Sequence, residues 1–140
     1  MTGIDCFIDI KSKQIIRDEE DHTDDSYEGK YFCRLEKNYL SYKRKEDDEE
    51  VSVLITFDEA ALTISQQGTV NSRMTFNAAE RTYNHYGTSV GTMMITVDTK
   101  EYHVTRTGDQ IQINLKYDIL TGCEVAVTND MCIKVKMEEL

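Results

Sequence analysis

Gly87-Thr88-Ser89-Val90-Gly91 spells G-x-S-x-G, the spacing with which hydrolases raise a nucleophilic serine on a strained strand-to-helix turn. That chemistry needs a helix after the turn and parallel strands around it. Here the next residues, Thr92-Met93-Met94-Ile95-Thr96-Val97, read as a strand, and no βαβ unit is present to build such a sheet. The pattern is therefore read as two glycines bracketing a β-turn or bulge. General acid–base work needs a titratable group in a water-poor cleft, and His85, near Tyr83 and beside Tyr86, is the candidate. Neighbouring strand residues face opposite ways, so His85 and Tyr86 cannot both line an interior. One packs and the other is solvated, and no catalytic residue is assigned.

Metal chemistry finds little support. A calcium loop starting at Asp18 would need glycine at its sixth position and glutamate at its twelfth; those positions hold Thr23 and Gly29. His22, His85 and His103 lack zinc-ligand spacing, and Cys123 with Cys132 would bring two sulfurs and nothing more. No metal and no cofactor is expected. The remaining candidates are ligand-binding side chains in phase with core residues. Tyr117 continues the Ile113–Leu115 row, Arg106 extends the Tyr102–Val104 row at a strand end, and Tyr86 precedes a glycine break. A polar group near a barrel mouth commonly orients an otherwise apolar molecule.

The elements that must position these residues are strands. From about Asp5 to Met137, short stretches alternate apolar and polar residues, with no proline and no helix-length amphipathic run. The first strand is expected over Ile4–Arg17, followed by the acidic run Asp18–Asp25 as a solvated connection. Tyr27, Gly29, Tyr31, Cys33 and Leu35 share a phase, and Lys37-Asn38 turns the chain into Tyr39–Lys43. A second acidic loop, Glu46–Glu50, leads to Val51–Phe57, then Ala61–Ser65, a strand carrying Val70, Met74 and Phe76, and Arg81–Tyr86. Thr92–Thr99 and Glu101–Thr107 read as a hairpin; Ile111–Ile119, Cys123–Val127 and Met131–Met137 complete the series. Nine to eleven strands are too many for a small open sheet with wet edges. Closure removes the edges, so the expected fold is all-β: a single closed antiparallel β-barrel of about 8–10 strands spanning residues 1–140 as one domain, with a two-sheet sandwich as competitor.

Composition bounds the partners. A charged fraction of 30% beside 39% hydrophobic residues marks a globular chain. The net charge of −10, with sixteen scattered lysines and arginines, argues against nucleic acid and against an anionic membrane surface. Met1-Thr2-Gly3-Ile4-Asp5 lacks the basic start and apolar run of a secretion signal, which predicts a cytoplasmic protein with reduced thiols at Cys6, Cys33, Cys123 and Cys132.

Tyr39-Leu40-Ser41-Tyr42 after a hairpin, Gly68 before a strand ending at Phe76, the Tyr86 to Gly91 spacing, and Ile111-Gln112-Ile113-Asn114-Leu115-Lys116-Tyr117 together resemble the YwiB-like family of bacterial proteins, over roughly Asp5 to Met137. The resemblance implies a calycin-like, lipocalin-type barrel in the bacterial cytoplasm. It transfers no catalytic or ligand residue. The Gly-x-Trp opening of true lipocalins is missing, since the chain has no tryptophan.

The function expected from these readings is non-enzymatic: a barrel that binds a small, apolar or amphipathic ligand in its interior. The alternative is an interaction or scaffold module, monomeric or homodimeric, using Phe7, Phe32 and Leu54, which lie in the opposite phase from their strands' main apolar set. A hydrolase or isomerase centred on His85 is the remaining reading.

Overall fold

The structure, a computed structural model, describes residues 3–69, 71–88, 90–121 and 124–138, residue 88 by its backbone alone. Val70, Ser89, Gly122 and Cys123, which the sequence reading used, lie outside the described residues. Ten strands follow one another: β1 (Ile4–Ile16), β2 (Glu19–Arg34), β3 (Lys37–Glu46), β4 (Glu49–Phe57), β5 (Ala61–Gln67), β6 (Asn71–Asn77), β7 (Thr82–Thr88), β8 (Gly91–Thr107), β9 (Gln110–Thr121) and β10 (Glu124–Met137). Each pairs with its neighbours in sequence, and β1 pairs with β10, closing an antiparallel up-and-down barrel. Among the described residues no helix is long and apolar enough to cross a membrane.

The period-two pattern sets the wall. Ile8, Leu40, Ile55, Leu62, Phe76, Ile113 and Ile133 point inward and are buried to 1% exposure or less. Each such side chain contributes about 1.5–3 kcal/mol by leaving water. Together they fill the waist of the barrel, so the open space lies towards its ends and on its outer wall.

Several expected boundaries move, for identifiable reasons. The acidic run is not a connection but the first half of β2, with Asp24 facing Lys11 and His22 facing Lys13 in register. Lys13 holds Glu20 at 2.9 Å across the ladder. The connection contracts to Arg17-Asp18, both at positive φ (50° and 65°), a two-residue turn whose twist matches the strands. The same device at Leu35-Glu36 replaces the expected Lys37-Asn38 turn and leaves Leu35 90% exposed instead of in the core. At Asp47-Asp48 it shortens the second acidic loop. The expected hairpin within 92–107 is one strand, β8, whose register shifts between Thr99 and Glu101 where Lys100 bulges out. The expected break near Thr128–Asp130 is likewise continuous in β10, with its irregularity at Val125–Val127.

Two places hold the closure. At Gly29 the wall changes partners: from Gly29 to Arg34, β2 pairs with both β1 and β3 or with β3 at its end, whereas residues 19–28 pair with β1 alone. A side chain on Gly29 would drive into the Ser41 carbonyl oxygen and sit 2.9 Å from Ile8 Cδ1. The second place is β6–β7, where the ladder is three residue pairs long among the described residues. Beyond it, buried Asn84 substitutes for the missing rungs. Its Oδ1 accepts from Thr75 N–H at 2.9 Å, and its Nδ2 donates to Thr82 Oγ1 and the Ile95 carbonyl. Thr82 Oγ1 donates in turn to the Thr75 carbonyl.

Buried tyrosines make the fold alkali-sensitive. Burial pushes the Tyr117 hydroxyl up to about 12, and burial followed by the Asp58 charge raises Tyr102 further above the usual 10. The unfolded chain therefore loses these protons first, so stability is intact below pH 10 and declines as pH rises beyond it. The expected loss is about 1.4 kcal/mol per pH unit for each such tyrosine. Urea midpoints measured between pH 9 and pH 11.5 should fall, and Tyr117→Phe should make the decline shallower.

Candidate functional site

The end of the barrel that carries the Leu35-Glu36 and Asp58–Ala60 turns forms a cup of about 1080 Å³. Its floor is apolar: Phe57 ends β4 there, and Val104 and Ile111 lie near the adjoining ends of β8 and β9. Arg106 reaches the rim because it is the last inward position of the Tyr102–Val104–Arg106 row, facing Ile111 on β9. Its Nη1 donates to the Tyr31 hydroxyl at 3.2 Å, and its guanidinium lies 5.7 Å from the Tyr31 ring centroid. Tyr31 passes the chain on, donating to Asn38 Oδ1 at 2.5 Å, and Asn38 Nδ2 donates to the Phe57 carbonyl. Burial is the first cause of the raised Tyr31 pKa, which keeps that hydroxyl a donor across the ordinary pH range. Among the described residues Arg106 makes no ion pair, although Glu36, Asp58 and Glu59 line the same cup. Asp58 is occupied: its Oδ1 accepts from the Ala60 and Ala61 amides. The arrangement offers an oriented, solvent-facing guanidinium above a greasy floor. Such a cup suits a molecule with one anionic group and a short apolar body.

The family described as "Domain of unknown function (DUF1934)" matches residues 8–133, from the first inward isoleucine of β1 to the middle of β10. The chain belongs to the DUF1934 family. It is 25% identical over 105 residues to the "Uncharacterized beta-barrel protein YwiB" of Bacillus subtilis (strain 168), covering 75% of this chain and 74% of that one. The crystal structure of the ywiB protein from Bacillus subtilis superposes with a TM-score of 0.87 at 20% identity, over 97% of this chain and 93% of the other. The likeness carries the fold.

In this DUF1934 barrel the three sequence-predicted ligand residues are not gathered at one mouth. Arg106 is on the rim of the cup. Tyr117 is six residues along β9 from Ile111, about 20 Å away along the strand. It is 6% exposed, with its ring 4.5 Å from that of Phe76. Tyr86 is half-buried opposite Ser72 and Met93, near the end of β7 that turns into β8. His85 is exposed, the opposite face from Tyr86, as strand alternation requires. Among the described residues no group of three or more His, Cys, Asp or Glu side chains is placed to hold a metal.

Sequence reasoning missed Tyr31 and Asn38 as partners of Arg106. They lie 75 and 68 residues before it, and only barrel closure brings β2 and β3 to the β8 end. It also missed an outer-wall groove of about 810 Å³ flanked by Phe7, Leu54, Lys30 and Lys43, although it had singled out Phe7 and Leu54 as outward-facing. Phe32, the third such residue, stacks on Tyr39 at 4.5 Å.

Proposed function

We propose that the protein is a non-enzymatic, lipocalin-like binding barrel of the bacterial cytoplasm, taking a small amphipathic anion at one end. The observation that carries this reading is the Arg106 guanidinium, held by Tyr31 but without an ion pair among the described residues, above the floor of Phe57, Val104 and Ile111. The packed waist moves the ligand from the deep interior, where the alternation suggested it, to the cup. Unpaired thiols at Cys6, Cys33 and Cys132 favour a reducing compartment.

Calorimetric titration with octanoate tests the reading. Octanoate should bind saturably, octylammonium should not, and Arg106→Met should weaken octanoate about 10–100-fold, the worth of a charge-assisted hydrogen bond. Equal affinities for the two amphiphiles, or an Arg106→Met protein that binds as tightly as the parent, would overturn it.

The outer-wall groove supports a second reading, an interaction module that pairs with another copy of the chain through Phe7 and Leu54, which are 49% and 38% exposed. Light scattering at rising concentration decides this. A dimer abolished by Phe7→Ser supports the module, and a monomer at all concentrations excludes the homodimer.

A further inference from the structure

The first half of β2 stands outside the closed wall. Among the described residues, 19–28 pair with β1 on one side and with no strand on the other, because the β2–β3 ladder ends at the Gly29–Tyr42 pair. The turn fixes which backbone groups are left over. Ile16 and Glu19 flank the two-residue Arg17-Asp18 turn, so they form a narrow pair that exchanges both hydrogen bonds. Odd-numbered residues of β2 therefore direct their N–H and C=O groups at β1. Glu20, His22, Asp24, Ser26 and Glu28 point theirs the other way, the direction in which Lys30, Phe32 and Arg34 reach β3. The His22 N–H has turned to the Asp21 carboxylate at 3.0 Å, as an N–H without a ladder partner does.

The side chains set the kind of strand that fits this edge. Glu19, Glu20, Asp21, Asp24, Asp25 and Glu28 supply six carboxylates over residues 19–28, with no lysine or arginine among them. Glu20 is held by Lys13 and His22; the others make no ion pair among the described residues. Strand alternation puts Glu20, Asp24 and Glu28 on the outer face and Glu19, Asp21 and Asp25 on the inner, so an added strand meets acid on both faces. Such charge keeps neutral strands, and a second copy of the same edge, from adding. It selects a cationic one. Where β2 and β3 part, the added strand reaches the outer-wall groove, with Phe7 beside Glu28 in register and Leu54 across the opening. That end takes an apolar side chain.

We propose that residues 20–28 form a docking edge for an extended cationic segment of another protein, rich in lysine or arginine, which adds to β2 as a further strand. The proposal goes beyond the cup and does not depend on Arg106. Backbone hydrogen bonds from the even-numbered residues supply the register, and the carboxylates choose the partner and speed its approach. Docking needs little rearrangement, because the edge is already extended and exposed. The His22 N–H exchanges the Asp21 oxygen for a carbonyl of the incoming strand. On the inner side of the opening the rings of Tyr27 and Tyr42 stack at 4.4 Å, so the segment lies along the edge and does not enter the core.

The test uses the 15N-labelled full chain and a synthetic peptide of alternating lysine and valine, long enough to run beside residues 20–28. Saturable binding is expected, with amide exchange slowed at His22, Asp24, Ser26 and Glu28 and unchanged at the odd-numbered residues between them, which β1 already protects. The same peptide methylated at every backbone nitrogen keeps its charge but cannot pair, and should slow none of these amides. Asp24→Pro removes an outward N–H without touching the β1 ladder, and should weaken the unmodified peptide about tenfold or more. Asp24→Ala removes the same charge and keeps the N–H, so it should weaken binding about threefold or less. If Asp24→Pro does not fold, the methylated peptide decides alone. No saturable binding, equal binding by Asp24→Pro and Asp24→Ala, or exchange slowed as much by the methylated peptide as by its parent would overturn the proposal. A contact made by charge alone gives the last two results.

Discussion

Gly29→Ala is expected to cost about 3 kcal/mol or more of folding stability, beyond the usual range for overpacking. The added carbon meets backbone, the Ser41 carbonyl oxygen, and backbone at that point cannot move without breaking the Gly29–Tyr42 pair that begins the β2–β3 ladder. The Ile8 side chain, 2.9 Å from the same carbon, is buried to 0% exposure and has nowhere to go. A double variant separates the two obstacles. Ile8→Val removes Cδ1, and if the side chain were the main obstacle the double variant would regain most of the loss. The steric account predicts little rescue in urea unfolding, because the carbonyl remains. The denaturant slope should also change if the strand ends 19–28 detach with β1 rather than remaining docked.

Asn84→Leu is expected to cost about 2–4 kcal/mol. The substitution keeps size but deletes one acceptor and two donor contacts, leaving the Thr75 amide and the Ile95 carbonyl unsatisfied between β6 and β8. Amide hydrogen exchange should locate the damage: Thr75 N–H, protected in the parent by Asn84 Oδ1, should exchange at the rate of local opening. An unchanged urea midpoint, or a Thr75 amide that keeps its protection, would show that the seam is held by something other than Asn84.

The strand phases were legible because burial leaves a two-residue rhythm, clearest in β9 and in Met131–Met137. Arg106 could be placed at a rim for the same reason, as the next beat after Tyr102 and Val104. The turns were harder. Arg17-Asp18, Leu35-Glu36 and Asp47-Asp48 adopt positive φ without glycine or asparagine, the residues by which such turns are usually found. The acidic half of β2 was hidden because it has no rhythm to show. Its residues pair with lysine-bearing β1 outside the closed part of the wall, where neither face is covered. That acidic edge also suits a strand with one side unpaired, since charge discourages the addition of further strands. Asn129 lay between the expected strands Cys123–Val127 and Met131–Met137, because a polar residue inside an apolar layer looks the same in sequence as a break between strands. Tyr31 and Asn38 belong to the site only through closure, which brings residues far apart in the chain to one rim.

The most direct test of the Arg106 cup is a titration of the 15N-labelled protein with octanoate, read residue by residue. Binding at the cup predicts saturable shifts confined to the amides around 34–39, 57–60 and 104–111, lost in Arg106→Met. Shifts centred instead on Phe7, Lys30, Lys43 and Leu54 along the outer wall, or no saturable shift at all, would contradict it.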